Sequence, residues 1–139
     1  AVADAYLMLG TASGELYEFA AAERWIEEGI AFARSRDLDR QALYMEAWQA
    51  MCDLYQGRWD AAGERAQAVL AHDPQPSTAR VVALVTLGRL RTRRGDPAAA
   101  DALDEALELA RKAREAQALE ETREVVVTPL VRRAMPALW

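Results

Sequence analysis

Few residues of this 139-residue chain are of the types that carry covalent or metal chemistry. There is one Cys, Cys52, and one His, His72. A thiol or hydroxyl nucleophile needs a base within hydrogen-bond reach, and no Cys–His pairing or Ser–His–Asp set is implied by the spacing. A zinc site draws on three or four Cys, His or acidic ligands, which a single Cys and a single His make a poor start for. One Cys also excludes an internal disulfide framework. Cys52 follows Met51 in an apolar segment and reads as a small buried hydrophobe. His72 closes a helical pattern, where a cation suits the helix dipole. Three acidic pairs, Glu27-Glu28, Asp104-Glu105 and Glu120-Glu121, would serve glycoside hydrolysis only by facing one another across a cleft. At helical spacing they read as solvated faces. The expectation is a non-enzyme without catalytic residues, cofactor or metal.

Two other groups have binding rather than catalytic potential. Arg89, Arg91, Arg93 and Arg94 crowd the end of one helical pattern. There they can oppose the helix dipole as solvated cations, each contributing about 0.3–1 kcal/mol, or anchor a ligand. They lack the interleaved aromatics of single-strand nucleic-acid binders. Trp25, Trp48 and Trp59 lie on or beside apolar stripes, where core packing competes with a ligand platform.

The elements that would position these residues are helices. Thirty residues are Ala, with only two Phe, seven Gly and five Pro, a mixture rich in helix formers and poor in strand formers. A 52% hydrophobic content with a net charge of −5 is enough to bury a core. Positions 1–70 hold twelve acids against six bases, and positions 71–139 hold ten against eleven. Neither half offers the concentrated positive face that autonomous nucleic-acid binding requires. No run approaches ~18–20 consecutive apolar residues, so no membrane helix is expected. The first ten residues lack the basic-then-apolar layout of a signal peptide, and cytoplasm is the expected compartment. The chain opens without Met and in mid-pattern, as a piece of a longer protein would.

An internal repeat organises the chain. Glu18-Phe19-Ala20-Ala21-Ala22, Arg58-Trp59-Asp60-Ala61-Ala62 and Asp96-Pro97-Ala98-Ala99-Ala100 align at steps of 40 and 38 residues. Leu9-Gly10 and Leu87-Gly88 match upstream. Apolar periodicity predicts paired helices at 2–15 and 19–36, 38–56 and 59–72, and 78–94 and 97–119. The inward stripes are Phe19, Ala22, Ile26, Gly29, Ile30 and Ala33; Tyr44, Ala47, Trp48, Met51, Leu54 and Tyr55; Trp59, Ala62, Ala66, Val69 and Leu70; Val81, Leu84, Val85, Leu87 and Gly88; and Ala100, Leu103, Ala106, Leu107 and Ala110. The third helix has two possible registers: counting back from Gly57 puts Gln49 and Asp53 inward, and a one-residue slip substitutes Met45, Trp48 and Cys52. Ser77 and Asp96 are expected N-caps, and Gly95 a C-terminal cap. Small residues such as Gly10, Gly88, Ala22, Ala62 and Ala100 would let helices approach closely. The repeats cover about 1–37, 38–75 and 76–119 of a domain spanning 1–124. In the tail, 125–139, Thr128-Pro129 could open a short helix. That tail reads as a cap over the last hairpin, as a contact for a second chain, or as a poorly ordered end.

Tyr6-x2-Leu9-Gly10 with Ala22-x3-Ile26-x2-Gly29, and Leu84-x2-Leu87-Gly88 with Ala100-x3-Asp104-x2-Leu107, resemble tetratricopeptide repeats. Ser13, Arg91 and Asp104 depart from that family's aromatic positions. The period near 40 and the Ala/Arg/Leu style are similar to the repeat region of large bacterial LuxR-type (MalT-like) ATPase transcriptional regulators. The chain has no phosphate loop and no convincing helix-turn-helix, so those roles do not transfer. The resemblance implies an all-α, right-handed superhelix of antiparallel hairpins, an α-solenoid of about three hairpins plus a C-terminal capping segment. It also implies a partner groove along the first helices, offered here by Leu7, Thr11, Glu15, Tyr44, Trp48, Met51, Val85, Arg89, Thr92 and Arg93, with Asp4 and Val82 beside them. The expected occupant is a protein segment or an adjacent domain of a larger regulator. The alternative is a small inducer held by Tyr44, Trp48 and Arg89. A homodimer through an exposed repeat end or the 125–139 tail is compatible with either. No nucleic-acid or membrane partner is expected.

Overall fold

The computed structural model describes residues 2–15, 18–72 and 74–134, and the side chains of 2–10, 18–72 and 74–117. Within them the chain forms six helices and no strand: α1 (Val2–Glu15), α2 (Phe19–Ser35), α3 (Asp39–Tyr55), α4 (Trp59–His72), α5 (Thr78–Arg94) and α6 (Ala99–Ala134). The all-α expectation holds. No helix among the described residues is long and apolar enough to cross a membrane.

Local chemistry sets the boundaries. Ser77 Oγ accepts the Arg80 amide at 3.1 Å, a cap that typically contributes about 1 kcal/mol. Asp96 Oδ1 accepts the Ala98 amide at 2.8 Å, and a turn at 97–98 delays the start of α6 to Ala99. Three helices end on the same device. Asp37, Gly57 and Gly95 take left-handed φ of 56°, 80° and 71°. The next residue then donates back five positions, Leu38 to Ala33, Arg58 to Asp53 and Asp96 to Arg91, each at 2.9 Å. This closes otherwise orphaned carbonyls. Glycine adopts such a φ without strain, and Asp37 does so with a Cβ in place.

Consecutive helices pack on one another, and short connections make them antiparallel neighbours. Beyond the sequential pairs, α1 touches α3 and α3 touches α5, so α1, α3 and α5 form one layer. Helices α2, α4 and α6 rest on that layer and, among the described residues, not on each other. Helix α3 therefore meets four helices. Met45 and Cys52 join Ile26, Ile30 and Ala33. Ala47 and Ala50 join Ala66, Val69, Ala83 and Leu84. Both registers read for this helix describe real contacts, because it is enclosed on nearly every side.

Helix α6 departs from expectation twice. It runs without a break to Ala134, so it does not end near 119 and no separate helix opens at Pro129. Glu and Arg at 120–124 are good helix formers and carry it through. Side-chain contacts of the 125–139 tail lie outside the described residues. Its buried face is also rotated: Ala99, Ala102 and Ala106 are inward, whereas Ala100, Leu103, Leu107 and Ala110 are exposed. A helix with a neighbour on one side only, α5, buries a narrower stripe than the periodicity offers. Trp59, expected inward, is exposed at the start of α4.

Close approach requires small residues at defined points. A Cβ on Gly10 would lie 2.6 Å from Ile26 Cγ1, and one on Gly88 would overlap Leu103 Cγ and Cδ2. One on Gly29 would lie 2.5 Å from Met45 Sδ and 2.7 Å from Tyr6 Cβ, so α1, α2 and α3 converge there.

Candidate binding face

Tyr44, Trp48, Met51 and Tyr55 lie three or four residues apart along one side of α3 and meet α2, α4 and α5 in turn. Glu46, Gln49 and Asp53 occupy its opposite side. Two of these, Glu46 and Gln49, line an open cleft of about 400 Å³ with Glu27, Arg34, Arg65 and Ala68. That cleft separates α2 from α4 and has charged walls, and Arg34 pairs with Glu46 across it.

From α5, Arg89 reaches to the α3 stripe and donates to the Tyr55 hydroxyl, with its guanidinium carbon 5.8 Å from the ring centroid. Phe19 stacks on the same ring at 5.5 Å with planes 19° apart. Thr86 Oγ1 donates to Val82 O at 2.9 Å and lies 3.6 Å from Met51 Sδ. The Arg93 guanidinium is 3.5 Å from the Leu54 carbonyl oxygen. Arg94 bonds Asp60 of α4 at 2.7 Å. Three of the clustered arginines thus lean onto neighbouring elements rather than standing free at a helix end.

The residues expected in the groove are dispersed. Tyr44 and Val85 are half-buried against the α4–α5 core cluster. Leu7 and Trp48 are half-buried against the α2 cluster, where Leu7 forms part of the wall between α1 and α3. Met51 is buried beside Leu54, Ala62 and Leu90. Arg89, Thr92 and Arg93 are exposed, with the Thr92 hydroxyl donating to Gly88 O at 2.8 Å. The side chains of Thr11 and Glu15 lie outside the described residues. The Trp48 indole nitrogen is buried, and among the described residues no acceptor reaches it.

Sequence reasoning left out the most connected polar cluster. Asp53, 3% exposed, accepts from Arg58 Nε through Oδ1 at 2.8 Å, and its Oδ2 lies 2.8 Å from Arg65 Nε. Arg58 also pairs with Glu23 of α2, and Gln56 Nε2 donates to Glu23 at 2.8 Å. The hydrogen bond to Asp53 and the neighbouring Glu23 push the Arg58 guanidinium further up, into firmer protonation. The cluster ties α2, α3 and the start of α4 together. A buried acid that accepts one hydrogen bond and pairs by charge with two half-exposed arginines is a structural clamp. The available signal was Asp53 itself, an acid in an otherwise apolar helical stripe, with Arg58 just past the Gly57 turn.

Beside the clamp, burial is the largest influence on Cys52, and with Glu23 and Asp53 nearby its thiol is pushed up to about 11 against a weaker opposing effect of Arg58. A thiol held neutral and buried is a poor nucleophile. Among the described residues no group of three His, Cys, Asp or Glu could hold a metal ion. No protein-family model, no curated protein and no solved structure matches the chain.

Proposed function

We propose that this chain is a non-catalytic interaction module, a right-handed superhelical stack of tetratricopeptide-like hairpins that binds a protein segment along α1, α3 and α5. The supporting observation is the α3 stripe. The half-buried rings of Trp48 and Tyr55 form an aromatic strip, with Met51 buried beneath it and Arg89 and Arg93 of α5 exposed at its edge. The arginines favour a segment carrying acidic residues, with apolar side chains meeting the strip. Within a larger bacterial regulator of the LuxR type, such a segment would belong to an adjacent domain or a partner protein in the cytoplasm. The inducer-sensing alternative gains nothing from the α2–α4 cleft, which Tyr44, Trp48 and Arg89 do not line.

Selection of a random peptide library against the chain tests this reading. Enriched peptides should combine acidic and apolar residues. They should lose at least tenfold in affinity on Arg89→Glu with Arg93→Glu, and keep it on Glu28→Arg, an exposed change on α2. Enrichment no better than background at high micromolar peptide, or equal binding to both variants, would overturn it.

A further inference from the structure

Two glycine contacts put the first and third hairpins in register. Gly10 of α1 lies on Ile26 of α2, and Gly88 of α5 lies on Leu103 of α6. Matching them pairs Ala22, Ile26, Gly29 and Ile30 with Ala99, Leu103, Ala106 and Leu107. In α4 the same places fall to Ala62, Ala66, Val69 and Leu70. The step into the last hairpin is thus 37 residues, one fewer than the spacing of the Ala-rich segments.

The pairing shows what is uncovered. Ile30 is 8% exposed because α3 follows α2, whereas Leu107 is 57% and Leu103 36% exposed. At the other end, Gly10 and Gly88 make Ala5 and Leu9 of α1 the counterparts of Ala83 and Leu87 of α5. Those two α5 residues are buried in the core cluster shared with Ala66 and Val69 of α4. Ala5 and Leu9 are exposed, Leu9 at 45%. The chain therefore displays both halves of an interface it already contains between α4 and α5: the receiving face on α6 and the inserting face on α1.

We propose that α6 of one copy receives α1 of a second copy, so that the chain associates head to tail by repeating its own α4–α5 contact. Residue type favours this pairing over α6 against α6. Ala5 and Leu9 are the same residues as Ala83 and Leu87, which α4 already accommodates. A second α6 would instead set Leu103 and Leu107 against the same two leucines. Because the two faces differ, the contact is heterologous, and a pair of copies still offers one free face of each kind to a third. It uses the two ends of the stack and is independent of the α3 strip.

Sedimentation velocity of the full chain over a wide concentration range tests the proposal. The mass-average should rise past that of a dimer without reaching a plateau. Leu107→Arg and Leu9→Asp, both at exposed positions, should each give a monomer with an unchanged helical circular dichroism spectrum. Mixed together they should form a 1:1 complex and nothing larger, since each retains the face the other lacks. A wild-type chain monomeric at every concentration would overturn the proposal, as it would if another helix occupied the α6 face. Association that survives Leu9→Asp, the mark of α6 pairing with α6, or a mixture that stays monomeric, would overturn it as well.

Discussion

Gly88 of α5 lies directly beneath Leu103 of α6, with no space between them for a Cβ. Two effects oppose each other when Gly88 is enlarged. Replacing a glycine in a helix gains up to about 1 kcal/mol of helix propensity. Overpacking a close contact costs about 1–3 kcal/mol, and a leucine must displace Leu103 Cγ rather than a flexible tip. Gly88→Leu should therefore lower the urea midpoint, and Leu103→Ala in that background should recover part of the loss. Equal midpoints for wild type and Gly88→Leu would show that the two helices are not in this register.

Asp53 should matter far more than its exposed neighbour Asp60. Asp53→Asn removes the charge that holds both Arg58 and Arg65. It should cost about 1–3 kcal/mol, the usual penalty for weakening a buried charged hydrogen bond. Asp60 pairs with Arg94 but is 93% exposed, and Asp60→Asn should stay within about 0.5 kcal/mol of wild type. Denaturation at low and high salt separates the two, since screening weakens exposed pairs more than buried ones.

Cys52 should make stability fall in mildly alkaline solution. Its thiol titrates near 9 when unperturbed and near 11 in the fold. Between those values the folded state keeps a proton that the unfolded state has lost, so unfolding becomes easier as pH rises. The thiol's contribution is complete below about pH 9 and is lost as pH passes 11. Cys52→Ala should flatten that part of the pH–stability profile. Alkylation of the native protein at pH 8 should proceed only as fast as local opening exposes the sulfur.

Asp37 occupies a backbone conformation that Gly57 and Gly95 adopt without strain at the matching helix ends. Asp37→Gly should raise the thermal midpoint. Relief of the left-handed strain, about 1 kcal/mol, exceeds the extra unfolded-state entropy of glycine only modestly, so the expected net gain is about 0.5 kcal/mol. A lower midpoint would mean that the Asp37 side chain contributes more than its backbone costs.

What was legible in the sequence is what short-range chemistry decides. Ser77, Gly95 and Asp96 announce helix ends because caps and left-handed residues act within a few positions, and Val2–Glu15, Trp59–His72 and Thr78–Arg94 form as the periodicity indicates. The orientation of α6 was not legible. Leu107 satisfies a helical stripe equally well whether a neighbour covers it or not, and only the tertiary arrangement shows it 57% exposed while Leu103 meets Gly88 along one edge. The clamp at Asp53 was hidden for a related reason. Glu23 and Arg58 lie 35 positions apart, and no local pattern couples them. On the binding face, Tyr44, Trp48 and Met51 were readable as a stripe. Tyr55 was read there only as packing, and its contacts with Phe19 and Arg89 depend on three different helices meeting.

The seam between α2 and α4 has a mechanical consequence. The two helices touch α3 but not each other; Glu23 with Arg58 fastens α2 to the α3–α4 turn near one end, and Arg34 with Glu46 fastens it to α3 near the other. Bending the stack about the α1–α3–α5 layer would widen or narrow that seam without separating α2 from α4, which share no packed surface, so a long ligand on the opposite face would be gripped by curvature as well as by contact.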